Sequence, residues 1–192
     1  MQKDPIIPSA PAPRVNHLST SSNPLGCIAD VARRYLGLRE VSRNRAPWLA
    51  EFWRFTDYRE GMENREPWCA AAVCAWVQIA DRENQRFHLP FPPRSAAVRG
   101  IEEWAREKGH RIVPVDIPQL KPQRGWLLSF RPKLSHIGVL DMVLGQGVVS
   151  TIEGNTGADG GREGDGVYQK VRKLADFPGA RWIVINPSAY TL

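Results

Sequence analysis

Apolar residues in the first half of the chain recur at helical spacing, whereas those in the second half fall into short runs of strand character. Cys27, Ile28, Val31, Ala32, Tyr35 and Leu36 share one face of a helix that Asn23-Pro24 opens and Gly37 ends. A break at Asn44-Arg45-Ala46-Pro47 precedes a second short helix, Trp48 to Phe55, with Trp48, Leu49, Phe52 and Trp53 available for packing. Pro67 suits a first helical turn, because its missing N–H has no partner there and its φ is already helical. A third helix is therefore predicted from Pro67 through the Ala-, Val- and Trp-rich run that ends near Val77, and with almost no polar side chain in it at least one face is buried. His88-Leu89-Pro90-Phe91-Pro92-Pro93 reads as an extended loop with His88 at the surface. Val98, Ile101, Trp104 and Ala105 mark a fourth helix, Ala96 to Lys108, closed by Gly109, with His110 complementing its dipole.

Beyond that point Gly125 to Phe130, His136 to Leu144, Gly147 to Ile152, Val167 to Val171 and Arg181 to Ile185 are β-rich and separated by Gly, Pro or charged turns. Gly145-Gln146-Gly147 marks a hairpin between the second and third of them. Helices first and a meander of strands afterwards predict an α+β fold, N-terminal helices packed on a C-terminal antiparallel sheet.

Composition sets limits on this picture. A chain of 192 residues, 42% hydrophobic and without a long apolar run, makes one domain over 23–192 with a sizeable core and no membrane-inserting helix. Residues 1–22 are rich in Pro and Ser without apolar periodicity and read as a flexible leader. Met1-Gln2-Lys3-Asp4-Pro5 lacks the layout of a secretory signal, so synthesis in the cytoplasm without a classical export signal is expected. Three cysteines argue against a disulfide framework, and Cys69 and Cys74, five apart on one helix, point in different directions. No Cys-x-x-Cys or paired-His spacing supports zinc, and no cofactor is expected. The Gly- and acid-rich stretch from Gly154 to Gly166, with Asp159, Arg162, Glu163 and Asp165, reads as a solvated loop in preference to a calcium site, because it has no EF-hand spacing. A net charge of +6 points to an acidic polymer as target, and the dispersed Lys and Arg leave nucleic acid and anionic cell wall equally open on charge alone.

Candidate chemistry centres on Cys69, in the opening turn of the third helix. The partial positive charge and free N–H groups of a helix N-terminus favour thiolate over thiol, which makes Cys69 a candidate nucleophile, against the ordinary role of a free cysteine as a small core hydrophobe. Cys27, on the apolar face of its helix, is assigned to packing. A thiol nucleophile needs an imidazole in hydrogen-bond reach and a third group to orient that imidazole. His136 opens a strand, and Gly138, two residues on, leaves space on the same face. On the next strand Glu153 and Asn155 flank Gly154, so either is placed to accept the bond from the imidazole N–H.

Trp68-Cys69-Ala70-Ala71, Ser135-His136-Ile137-Gly138-Val139 and Thr151-Ile152-Glu153-Gly154-Asn155-Thr156, in that order, resemble the cysteine, histidine-dependent amidohydrolase/peptidase (CHAP) family, a papain-like branch related to NlpC-type cell-wall peptidases. Tyr35-Leu36-Gly37-Leu38-Arg39-Glu40-Val41, followed by Asn44 and Pro47, is similar to the segment that precedes the cysteine in phage-type members, and the resemblance covers residues 25 to 187. It implies a papain-like catalytic domain in which Cys69 attacks a peptide or amide carbonyl, His136 is base and acid, Glu153 orients His136, and Asn155 is an additional polar member of the site. The Cys69 backbone N–H would face the oxyanion. The implied substrate is bacterial peptidoglycan, with no nucleic-acid partner and a monomeric enzyme.

Two departures bear on specificity: Ala72 stands where members often carry Phe, and Gly125-Trp126 where they carry Gly-Asp. Trp126 at the expected cleft edge, and Trp68 beside the thiol, are candidate substrate-binding residues, with core packing the competing role for Trp126. A wall hydrolase without a signal peptide fits a phage lysin or an injected antibacterial effector acting in the periplasm, the latter implying a cognate immunity protein. The competing class is a catalytically idle peptidoglycan-binding module of the same fold. Paired-carboxylate hydrolysis by Glu102 and Glu103 is disfavoured, since neighbours on a helix face differently.

Overall fold

The computed structural model describes residues 25–84, 89–158 and 164–186. The leader, Asn23-Pro24, His88 and the Asp159–Glu163 part of the acid-rich loop lie outside the described residues. Four helices come first: α1 (Gly26–Arg33), α2 (Leu49–Trp53), α3 (Cys69–Glu83) and α4 (Val98–Glu107). Six strands follow: β1 (Arg111–Pro114), β2 (Leu127–Ser129), β3 (Ile137–Gly145), β4 (Val148–Thr156), β5 (Gly166–Lys173) and β6 (Arg181–Val184). They form one antiparallel sheet in the order β1-β6-β2-β3-β4-β5, against which the helices pack. The fold is thus α+β with helices on an antiparallel sheet, as the patterning predicts.

The meander extends only from β2 to β5. The last strand returns across the sheet to pair with β2, and β1, for which the sequence shows no alternating pattern, pairs on its outer side. The β3–β4 hairpin turns on Gly145, Gln146 and Gly147, all at positive φ (98°, 51° and 72°), the region where a side chain is strained and glycine is not. Among the described residues no helix is long and apolar enough to cross a membrane.

At the centre lies α3, whose residues Cys69 to Gln78 are all buried between α1 and α2 on one side and β3 and β4 on the other. An aromatic cluster of Tyr35, Trp48, Phe52, Trp68 and Trp76 packs edge-on against its near end. Asp141, a fully buried side chain on β3, fastens the layers: it accepts from Arg33 of α1 through Nε (2.8 Å), from Arg124 through Nε (3.4 Å) and from Gln169 of β5 through Nε2 (2.9 Å).

Candidate active site

The segment preceding α3 explains why Cys69 sits where it does. Trp68 is the residue before the first helical one, with φ −111° and no side-chain cap, so the helix starts at Cys69 and Pro67 lies just outside it. Trp68 is held by its indole: Nε1–H donates to Glu40 Oε1 at 2.6 Å, while the backbone N–H of Asn44 donates to Glu40 Oε2 at 2.6 Å. Asn44 in turn donates through Nδ2 to the Arg65 carbonyl, 2.8 Å. Burial raises the Glu40 carboxyl above its ordinary range, and the bonds from Trp68 and Asn44 only partly offset that. Cys69 thereby occupies the first turn, where backbone N–H groups have no helical acceptor.

Sheet strands supply the partners. His136 lies immediately before β3, its backbone carbonyl accepting from Phe130, and its ring is fully buried. Its Nε2 is 2.9 Å from Glu153 Oε2 on β4. Gly138 makes that approach possible, because a Cβ there would stand 2.6 Å from Glu153 Cγ. Gly154 does the same on the other face: a Cβ would meet the Trp68 ring at 2.5 Å and Ala72 Cβ at 2.9 Å. The small residue at 72 and the glycine at 154 are thus two halves of one close contact between α3 and β4.

Electrostatics couple the three groups. Burial by itself pushes the His136 imidazolium down, but the adjacent Cys69 sulfur and the Glu153 carboxylate outweigh it and lift the group to about 9. The Cys69–His136 contact falls outside strict hydrogen-bond geometry, so Nδ1 of His136 is buried without a formal partner while still feeling the sulfur. Such contacts are commonly loose before substrate arrives. Glu153 is pushed up by burial and down, further, by Arg172 and His136, so that it lies at about 2.

Cys69, only 4% exposed, opens onto a cavity of about 280 Å³ lined also by Tyr58, Glu66, Pro67, the Ala96–Val98 turn and Ser135. Its polar lining is Tyr58, whose hydroxyl accepts from Asn64 Nδ2 at 2.6 Å, with Glu66 and Ser135. Neither candidate indole lines it. Trp68 is wholly buried, and Trp126 packs 6.3 Å from Trp182. Both sit in packing positions instead.

Asn155 does not join the relay. It occupies a bulge in the β4–β5 pairing at φ 56°, which breaks the alternation that would put it beside Glu153, and its buried amide has no hydrogen-bond partner. Among the described residues Glu153 is the hydrogen-bond partner of His136 Nε2.

Five other residues are placed differently from a reactive role. Cys74 donates to the Ser95 carbonyl and burial pushes its thiol up; Cys27 is half-buried and pushed up to about 12 by burial and Asp30. His110 is a correction to the expected dipole partner: burial lowers it to about 4, so it is neutral, packs 4.4 Å from Trp104 and accepts from the Asn186 N–H. Glu102 is buried on Ser129 and Arg131, whereas Glu103 pairs with Arg99 at the surface, so the two carboxylates face apart. Among the described residues no group of side chains is arranged to hold a metal ion.

Arg172 and Thr151 complete the surroundings of Glu153: Arg172, just past the predicted Val167–Val171 strand, carries no signal in the sequence, and Thr151 lies within the Thr151–Thr156 stretch without being singled out there.

The fold and site define a class: a buried Cys–His–Glu constellation, of which Cys69 alone lines the cavity, on helices packed against an antiparallel sheet. No protein-family model matches the sequence, and no curated protein does. Among solved structures, an N-acetylmuramoyl-L-alanine amidase from Staphylococcus aureus aligns with a TM-score of 0.39 and 10% identity, over 64% of this chain and 31% of that one. The match spans less than a third of the amidase chain.

Proposed function

We propose that the protein is a thiol hydrolase of peptide or amide bonds, with bacterial peptidoglycan as its substrate. The observation that carries this reading is that Cys69 alone is shared between the groove and the buried pair His136–Glu153. In the proposed cycle the Cys69 proton passes to His136 Nδ1, and Sγ then attacks the carbonyl carbon as a thiolate beside the imidazolium. The tetrahedral oxyanion is met by the Cys69 backbone N–H at the helix start. As the C–N bond breaks, His136 returns the proton to the leaving nitrogen, and a thioester remains. Water, deprotonated by the same imidazole, then releases the carboxylic acid and restores the thiol. Glu153 holds the ring through Nε2 in every step. Trp68 serves the site only by fixing the helix start.

Peptidoglycan is favoured by the family resemblance; the positive charge of the chain is compatible with an anionic wall and on its own leaves nucleic acid equally open. Delivery by phage release or by an injection machine, a cognate immunity protein and action as a monomer belong to the same proposal. Incubation with purified peptidoglycan should release fragments whose masses identify one cleaved peptide or sugar–peptide amide bond. Cys69→Ala should abolish release while leaving sedimentation with peptidoglycan intact. Binding with no fragments from the unaltered protein would turn the reading to an idle binding module.

A further inference from the structure

Glu153 is more heavily ligated than a residue that merely orients an imidazole needs to be. Its Oε1 accepts from Thr151 Oγ1–H (2.5 Å) and Arg172 Nε–H (2.8 Å); its Oε2 accepts from Arg172 Nη2–H (2.5 Å) and lies 2.9 Å from His136 Nε2. A carboxylate offers about four lone-pair sites. All are taken, so no proton can reside on Glu153 and Nε2 must be the donor in its pair with His136. Arg172 is itself fixed, its guanidinium lying 5.2 Å from the Phe130 ring centre and 5.6 Å from that of Phe177. We propose that Arg172 and Thr151 are positioning residues that hold the neutral His136 ring in its Nε2–H form, leaving Nδ1 bare as the acceptor for the Cys69 proton.

This deepens the hydrolase reading and, as a statement about mechanism, rests on it. The physical alternative shows what the pair of residues prevents. With Arg172 gone, the buried Glu153 carboxylate and the His136 imidazolium can lower their joint cost by moving the Nε2 proton onto Glu153, which leaves an acid and a ring protonated at Nδ1, two neutral groups in place of two charges. The proton count is unchanged, but the ring then carries its hydrogen on Nδ1 and has nothing with which to accept from sulfur. Arg172 opposes that transfer with a forked, charge-assisted contact, and Thr151 closes the last site. The other charged neighbours are engaged elsewhere. Tyr168, opposite Glu153 in the ladder, donates to Asp165; the Lys170 ammonium donates to the Gly157 and Ala158 carbonyls; Cys69 acts on His136.

The test is a long-range proton–nitrogen spectrum of the His136 ring in uniformly ¹⁵N-labelled protein, titrated from acid to alkaline pH in the unaltered chain, Arg172→Gln, Arg172→Lys and Thr151→Val. The unaltered ring should show a bare Nδ1 once deprotonated and a protonated Nε2 throughout. Arg172→Gln should show a bare Nε2 and protonated Nδ1 below neutrality, and Arg172→Lys should keep the original pattern. On peptidoglycan fragments, Arg172→Gln should lower kcat by at least about tenfold with KM unchanged and move the acid limb of the rate profile upward, in line with loss of a general base. An unaltered tautomer together with an unmoved acid limb in Arg172→Gln overturns the proposal. Should that variant fail to fold by circular dichroism, the isosteric Thr151→Val carries the same comparison. Fragment release absent from the unaltered protein sinks the hydrolase reading, while the ring spectrum still decides this one.

Discussion

His136 and Glu153 have opposite shifts, and that makes the fold's stability depend on pH from both sides. Glu153 is ordinarily near about 4.3 when unfolded and lies at about 2 here, so its contribution is present above the unfolded value and is lost as pH falls toward 2. His136, near about 6.5 unfolded and about 9 folded, contributes fully below the unfolded value and progressively less as pH rises through 9. The melting temperature should therefore peak between these unfolded values, roughly pH 4.5 to 6.5, and Glu153→Gln should flatten the acid side; a monotonic profile would contradict the linkage. Glu40 makes a second prediction. Glu40→Ala strips the acceptor from the Trp68 indole and the Asn44 N–H, and should cost about 1–3 kcal/mol in urea denaturation. Because Trp68 sets the helix start, alkylation of Cys69 should also quicken.

At the scale of elements, the decisive meeting is between α3 and β4. Gly154→Ala places a methyl against an indole and Ala72, and should destabilise by about 1–3 kcal/mol. Ala72→Phe should be worse, and Gly154→Ala combined with it should not be additive, since the two positions share one space. The helices were legible because each carries its own apolar face: Ile28, Val31 and Ala32, or Ile101, Trp104 and Ala105, announce burial at helical spacing and are buried. The strand Arg111–Pro114 was not, being four residues long, half-buried without alternation, and paired with residues some 70 positions later. The same non-locality hid Arg172. Within its strand it reads as one more solvated cation, and only the sheet register, which sets it opposite Val149, lets its side chain reach Glu153. Cys69 stood out by its place at a helix start, and His136 and Glu153 through their order and glycine neighbours, whereas the bulge that turns Asn155 aside is set by pairing with the next strand and leaves no local mark.

Across the whole molecule, the helical layer and the sheet are joined by an apolar core with Asp141 as its main polar fastening. Arg33, Arg124 and Gln169 reach that carboxylate from α1, from the segment before β2, and from β5. Asp141→Asn keeps the shape and halves the acceptor capacity; urea denaturation should show a loss of about 1–3 kcal/mol, with little change in denaturant slope because the same surface is exposed on unfolding. The enclosure of α3 reaches further. From Cys69 to Gln78 that helix is buried and meets solvent only where Cys69 opens onto the cavity, so its cysteine end cannot loosen ahead of the rest. On warming, uptake of a bulky maleimide by Cys69 should stay flat until tryptophan fluorescence begins to shift, then rise with it, leaving no temperature range in which an intact protein carries a slackened thiol.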